Sequence, residues 1–204
     1  MPTGDIVAIP MRGTMLGNRG GRLHDPDTKE LHKTRRWASK QWICCETSFN
    51  GRQREVMGHS YTELFFLDEV TAFAAGHRPC FECRRKAFLA FAAAVARANG
   101  LAERMTAPAM DTVLHAERLQ GRVKRTHALA WGNLPDGAAV LFKNRTLMKN
   151  KGQALEWWAD GYRSHGLDID ELVQQPVECL TPPLMLSALA HGYPPRWHVS
   201  ADTA

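Results

Sequence analysis

No stretch of this 204-residue chain is apolar for long enough to cross a bilayer. The longest apolar run, Ala87 to Ala96, stops well short of the roughly 20 residues that a spanning helix needs. Met1 to Asp5 has no basic region leading into an apolar run, so no secretion signal is read there. Cysteine is scarce and odd in number, five in all, with two adjacent and two at Cys-x-x-Cys spacing. That pattern argues against a disulfide scaffold and for a reducing cytoplasm, with no membrane partner. The glycine-rich stretch Gly17-Asn18-Arg19-Gly20-Gly21-Arg22 is not followed by Gly-Lys-Ser/Thr, which excludes a phosphate loop of the ATPase kind. There is no internal repeat, no low-complexity tract and no clear linker. Gly161 to Asp170 is the best candidate for a flexible connection.

What remains is globular in composition. The apolar fraction of 44% and the length fit one domain spanning 1–204 with a sizeable core. The net charge is +5, and its distribution says more than its size. Basic residues cluster at Lys33, Arg35, Arg36 and Lys40, at Arg52 and Arg54, and at Arg84, Arg85 and Lys86. They cluster again at Arg122, Lys124 and Arg125, and from Lys143 through Arg145 and Lys149 to Lys151. Such clusters suit a polyanion, most simply nucleic acid, although ordinary solvated faces produce them too. Trp37 and Trp42 sit within the first cluster, where they suit stacking on bases as well as core packing.

The most informative stretch is Leu64 to Arg85. Leu64 to Leu67 reads as a buried strand, Asp68 as the cap of a short helix and Gly76 as its left-handed stop. Pro79 then precedes Cys80 and Cys83 at the head of a long helix, expected to run from Cys80 to Ala98. Two thiolates at that spacing can point at one cation, and the helix dipole favours their charge. Structural zinc is the expectation. Two buried apolar side chains or a redox dithiol are the alternatives.

Phe65 and Phe66 followed by Ala72, Ala75, Gly76, Arg78, Pro79, Cys80 and Cys83 give an aromatic run and then A-x-x-A-G-x-R-P-C-x-x-C. Over about Trp42 to Arg85 the chain resembles the metal-binding domain of the bacterial Ada DNA-repair protein. The resemblance implies zinc held by four cysteines and a contact with DNA. In that family the other two cysteines lie upstream, three residues apart; here the candidates, Cys44 and Cys45, are adjacent. Neighbours on a strand face opposite ways, so one of them is expected at the metal, with His59 or His77 as fourth ligand unless a bend lets both cysteines ligate.

Elsewhere, Ile6 to Ile9 and Gln41 to Cys45 read as strands, and Asn50-Gly51 as the turn of a hairpin. A second helix is expected over Thr112 to Leu119, capped by Asp111, with Asp111, His115 and Arg118 on one face. The last third reads as an antiparallel meander over Ala138–Phe142, Thr146–Met148 and Ala154–Trp158, with a further strand at Val177 to Leu180 and a short helix opened by Pro182-Pro183. The fold class is therefore α+β: a treble-clef-like zinc corner with a long helix (zinc-binding core about 41–100) and a β-rich C-terminal part (about 134–204).

These readings converge on a DNA-binding zinc protein acting on damaged or modified bases, most concretely a DNA glycosylase in repair or anti-phage defence. Asn18 and His24 are assigned to the base pocket. Acids such as Glu63, Asp68 and Glu69 are available, with Asp68 or Glu69 as the working carboxylate, and His115 is placed near phosphate. The DNA contacts are assigned to Arg19, Arg22, Arg35, Arg36, Arg84, Arg85 and Arg118, and the metal to Cys44, Cys45, Cys80 and Cys83. A non-catalytic reader of DNA damage or modification is one alternative. A zinc-knuckle nuclease is another, though no His-His or Asp-His doublet followed by spaced Asn and His is present.

Overall fold

The computed structural model describes residues 1–52, 55–164, 166 and 169–204. In chain order its elements are β1 (Met15–Arg19), β2 (Trp42–Glu46), β3 (Leu64–Phe66), α1 (Glu69–Ala74), β4 (Arg78–Pro79), α2 (Arg85–Ala98) and α3 (Ala107–Arg118). There follow β5 (Leu119–Gln120), β6 (Val123–Lys124), β7 (His127–Ala130), β8 (Ala139–Phe142), β9 (Arg145–Asn150), β10 (Gln153–Trp158) and β11 (Gly161–Ser164). The last elements are α4 (Ile169–Val173), β12 (Pro176–Cys179) and α5 (Pro183–Ala190). The architecture is mixed α+β, with five α-helices among the described residues and mainly antiparallel sheets.

The first sheet has the order β3-β1-β2-β4. β1 pairs antiparallel with both β2 and β3, and the short β4 runs parallel to β2. The register sets Leu16 between Cys45 and Phe65, and Asn18 opposite Ile43. Alternation along the strands then puts Leu16, Asn18, Ile43, Cys45 and Phe65 on one face. Met15, Gly17, Arg19, Trp42, Cys44, Leu64 and Phe66 take the other face, where Met15, Cys44, Leu64 and Phe66 pack with Ala72 and Ala75 of the α1 region. Gly17 is required by that packing, since a Cβ there would lie 2.4 Å from Phe66 Cε2.

The second sheet has the order β11-β10-β9-β8-β12-β7, and its core of Trp131, Val140, Leu147 and Val177 is closed by Leu172 of α4. Leu67, Val70 and Ala74 pack against Met148, Leu155 and Tyr162 of that sheet. Helices α2, α3 and α5 share a third core around Phe73, Phe91, Met110 and Met185.

The meander, the strand near Val177 and the helix after Pro182 fall where the turn signals place them. Other expectations fail for local reasons. Ile6 to Ile9 forms no strand. Asn50 and Gly51 do turn, both at positive φ with Arg52 N–H donating to the Phe49 carbonyl. Yet β2 and β3 do not pair with each other, because β1 lies between them. The long helix starts at Arg85, since residues 81–84 form a turn wrapped around the Cys80 sulfur. α3 starts at Ala107, capped by the Thr106 hydroxyl, with Pro108 in the first turn where its missing N–H costs nothing. Gly161 to Asp170 opens as strand β11; within it His165, Leu167 and Asp168 lie outside the described residues, as does Arg54 of the second basic cluster.

Candidate metal centre and its cavity

Cys45, Cys80 and Cys83 bring their sulfurs within 4.8 Å of one another. Three local features make this happen. The face alternation of β2 turns Cys45 toward the site and Cys44 away from it. The β4 pairing sets Pro79 opposite Cys44, and Cys80 N–H donates to the Cys44 carbonyl at 2.9 Å, which anchors the turn beside β2. The turn itself aims the backbone N–H groups of Glu82 and Cys83 at the Cys80 sulfur, and that of Glu46 at the Cys83 sulfur. Amides donating to sulfur stabilise thiolate charge. Hydrogen bonds from Cys45 and then Cys83 pull the Cys80 thiol far down, while those to Cys80 and Cys83 push Cys45 up. The cluster sets three soft sulfur ligands side by side, the donor set that suits a thiophilic cation.

The other expected ligands lie elsewhere. Cys44 is fully buried on the opposite face, its thiol pushed well up by burial and then by Glu69, with Arg84 Nη1 3.6 Å from its sulfur. His77 is also fully buried and accepts from Arg19 Nε at 3.4 Å. Burial, then Arg19 and Arg118, hold it neutral. His59 is exposed and outside the cluster. Among the described residues the metal set is three cysteines.

All three line a cavity of about 490 Å³. Asn18, Ile43, Glu63 and Phe65 of the same sheet face also line it, with Tyr61, Arg12 and Arg52. Glu63 immediately precedes Leu64, which pairs with Gly17, so extending the register by one residue would set it beside Asn18. Its Oε2 accepts the Met57 N–H at 2.9 Å, and its Oε1 is buried with no protein partner. Asn18 Oδ1 accepts from Gly20 N–H at 2.9 Å, leaving Nδ2 to donate to a ligand. Two strand spacings of ~4.8 Å and two residues of rise put the Cα atoms of Glu63 and Cys45 on the order of 12 Å apart. Glu63 is thus outside the cysteine cluster; it stands across the cavity from it.

Of the expected catalytic residues, only Asn18 reaches this cavity. His24 is buried between the Thr62 hydroxyl at 2.6 Å and the Gly58 carbonyl at 2.8 Å. Asp68 caps α1: it accepts the Thr71 N–H and hydroxyl, the Tyr162 hydroxyl and the His198 N–H. Glu69 is buried against Arg84 at 2.6 Å, Tyr193 and the Arg196 N–H. His115 lies behind the first sheet beside Trp37, Trp42 and Arg118. Asp111, expected as a cap, forks instead with Arg78 at 2.8 and 2.7 Å and ties β4 to α3. Of the three acids named from the sequence, Glu63 lines the cavity, together with Glu46 and Glu82 beside the cysteines. The signal for it was period-two alternation, which groups Glu63 and Phe65 with Leu16 and Asn18 once β3 and β1 are paired.

The arginines divide similarly. Arg22, Arg35, Arg36 and Arg85 are exposed, open to a duplex backbone. Arg84 is buried in its pair with Glu69, while Arg19 and Arg118 are buried behind the sheet. Four buried arginines among the described residues (19, 78, 84 and 118) are balanced by four buried acids (63, 68, 69 and 111), so the surface keeps the chain's positive excess. No described helix is long and apolar enough to cross a membrane.

No family model matches the chain, and no curated protein and no solved structure matches it. The site is therefore read from its own geometry.

Proposed function

We propose that this chain is a zinc-thiolate protein that binds DNA and acts hydrolytically on a damaged or modified base, in repair or in defence against foreign DNA. One observation carries the reading: a three-cysteine cluster forms one wall of a cavity whose opposite side holds a buried carboxylate oxygen without a partner. Structural zinc sites close their shell with four protein ligands, whereas sites with three leave a coordination position for chemistry. Zinc held by three thiolates supplies Lewis acidity at that position. We read the Cys80–Cys83 turn, β2 and α2 as the treble-clef-like corner, and the likeness of residues 42–85 to the Ada domain supports both the metal and the nucleic-acid partner.

The chain's own residues then have defined work. A base rotated out of the stack fits the size range of the cavity. Phe65 and Tyr61 give its lining aromatic surface, and Asn18 Nδ2 is a donor for the edge of the base. Glu63 Oε1 faces the sugar or the attacking water, where a carboxylate steadies developing positive charge or takes a proton. Arg12 and Arg52, exposed at the rim, meet phosphate. A second reading, hydrolytic deamination of the base, is favoured by Pro79-Cys80-x-x-Cys83 plus a third cysteine and a non-ligand glutamate, the donor set of zinc base deaminases. Among the described residues no histidine lines the cavity, so a histidine-dependent nuclease gains no support.

The test is incubation of zinc-loaded protein with normal, methylated and hypermodified duplexes, with free and altered bases read by mass spectrometry and abasic sites by alkali. The expected result is base release, or deamination under the second reading. Glu63→Gln should keep zinc and duplex affinity while turnover falls on the order of 10²- to 10⁴-fold. Duplexes bound but left unchanged would make the protein a reader, and equal turnover by Glu63→Gln would remove the assigned role.

A further inference from the structure

Behind the first sheet, on the face opposite the cysteines, lies a second cavity of about 410 Å³. Arg19, Arg36, Arg118, Arg122 and Lys124 line it, against one carboxylate, Asp5. Arg19 and Arg118 are almost completely buried, and their guanidinium carbons lie 4.0 and 3.9 Å from the centre of the buried Trp42 ring. Among the described residues, every hydrogen-bond partner of these two is uncharged. Arg19 donates to the Gly4 and Arg36 carbonyls and to His77; Arg118 donates to the Gly76 and Lys40 carbonyls and contacts His115 Nδ1. Lys124 donates to the Ala74 carbonyl. Arg118 Nε is buried with no hydrogen-bond partner among the described residues.

Among the described residues no carboxylate lies within ion-pair distance of Arg19, Arg118 or Lys124. The nearby Asp111 is already held by Arg78, and Asp5 Oδ2 accepts from Thr3. Burying unpaired charge is expensive, and three such cations around one cavity repel one another. Burial and the neighbouring arginines accordingly pull the Lys124 ammonium down to about 7. An anion entering the cavity would relieve all three at once. A phosphate group offers the charge and the acceptors that guanidinium forks and an ammonium match. Trp37, half-buried at the edge of the cavity, presents a ring beside it.

We propose that this cavity is a phosphate site for a ligand of nucleotide class, with the phosphate among Arg19, Arg118 and Lys124 and the base against Trp37. The shared chemistry is a phosphate monoester, supplied by a free mononucleotide or by the phosphorylated end of a DNA strand. The site shares no lining residue with the cysteine cavity, so it stands whether or not that cavity performs base chemistry.

The test is calorimetric titration and thermal unfolding of the full chain with inorganic phosphate, a deoxynucleoside 5′-monophosphate, the matching deoxynucleoside, and an oligonucleotide with and without a 5′-phosphate. The monophosphate should bind and raise the unfolding temperature, while the deoxynucleoside should do neither. Arg36→Glu with Arg122→Glu, both at exposed positions, should fold normally and weaken binding on the order of tenfold per cation. Lys124→Met should weaken it comparably without lowering stability. Preference for the phosphorylated oligonucleotide over the mononucleotide would assign the strand end, and the reverse order the free nucleotide. No response to any phosphate at millimolar concentration, or unchanged affinity in the double variant, would overturn the site.

Discussion

Cys44 and Cys45 are neighbours with opposite fates, because consecutive residues of a strand face opposite ways. Cys45 joins Cys80 and Cys83, whereas Cys44 packs with Met15, Leu64 and Phe66. Cys45→Ala should therefore abolish stoichiometric zinc. Cys44→Ala should keep it and cost only about 1 kcal/mol of stability, with metal content by mass spectrometry and denaturant unfolding as the two readouts. The sequence separated the pair only as far as saying that one of them faces the metal; choosing which needed the register against β1. His77 carries a second prediction at this scale. Buried and faced by Arg19 of β1, Arg118 of α3 and Lys124 of β6, it stays neutral well below the ordinary histidine range. Below pH ~6.5 the unfolded chain takes a proton that folded His77 refuses, so the His77 contribution to stability falls as pH falls, by up to about 1.4 kcal/mol per pH unit, and is flat above, where Lys124, pulled down to about 7, adds a slope of its own. His115, shifted the same way, adds to this slope, while Asp68 and Glu117, shifted upward, oppose it in more acid solution. The difference between the wild type and His77→Phe isolates the one group. A variant slope equal to the wild-type slope would contradict the assignment.

At the scale of elements, short-range signals read true where the partner is local. Asp68 and Gly76 bound α1, and Gly76 takes φ 84° against the Arg118 side chain, where a Cβ would sit 2.7 Å from Cδ. The meander strands join through tight turns and were legible for the same reason. Long-range pairings were not. Arg78 and Asp111 are 33 residues apart, and nothing near Asp111 distinguishes a helix cap from half of a buried fork. That pair now fixes how the cysteine turn sits on α3. Arg78→Met alone should cost about 3–5 kcal/mol by stranding the Asp111 charge, and Arg78→Met with Asp111→Leu should recover most of the loss. A double variant as unstable as the single would show that the pair does more than neutralise charge.

For the molecule as a whole, the first sheet is the organising partition. One face carries the three cysteines, Asn18, Glu63 and the larger cavity, and the other carries Trp42 between two arginines. The α+β class, the cysteine turn and the basic surface were readable from residue types and spacing. Asn18, Cys45, Cys80 and Cys83 were named from the sequence, but their meeting with Glu63 in one cavity was not, because Asn18 lies on β1, Cys45 on β2 and Glu63 just before β3, and the strand order puts β1 between the other two. The central claim is that three thiolates, not four, hold zinc at the wall of that cavity. X-ray absorption at the zinc edge of the purified full chain tests it most directly. The expected spectrum has three sulfurs at ~2.3 Å and one oxygen or nitrogen at ~2.0–2.1 Å, with one sulfur lost in Cys45→Ser and none in Cys44→Ser. Four sulfurs, or a protein that holds no zinc, would contradict it.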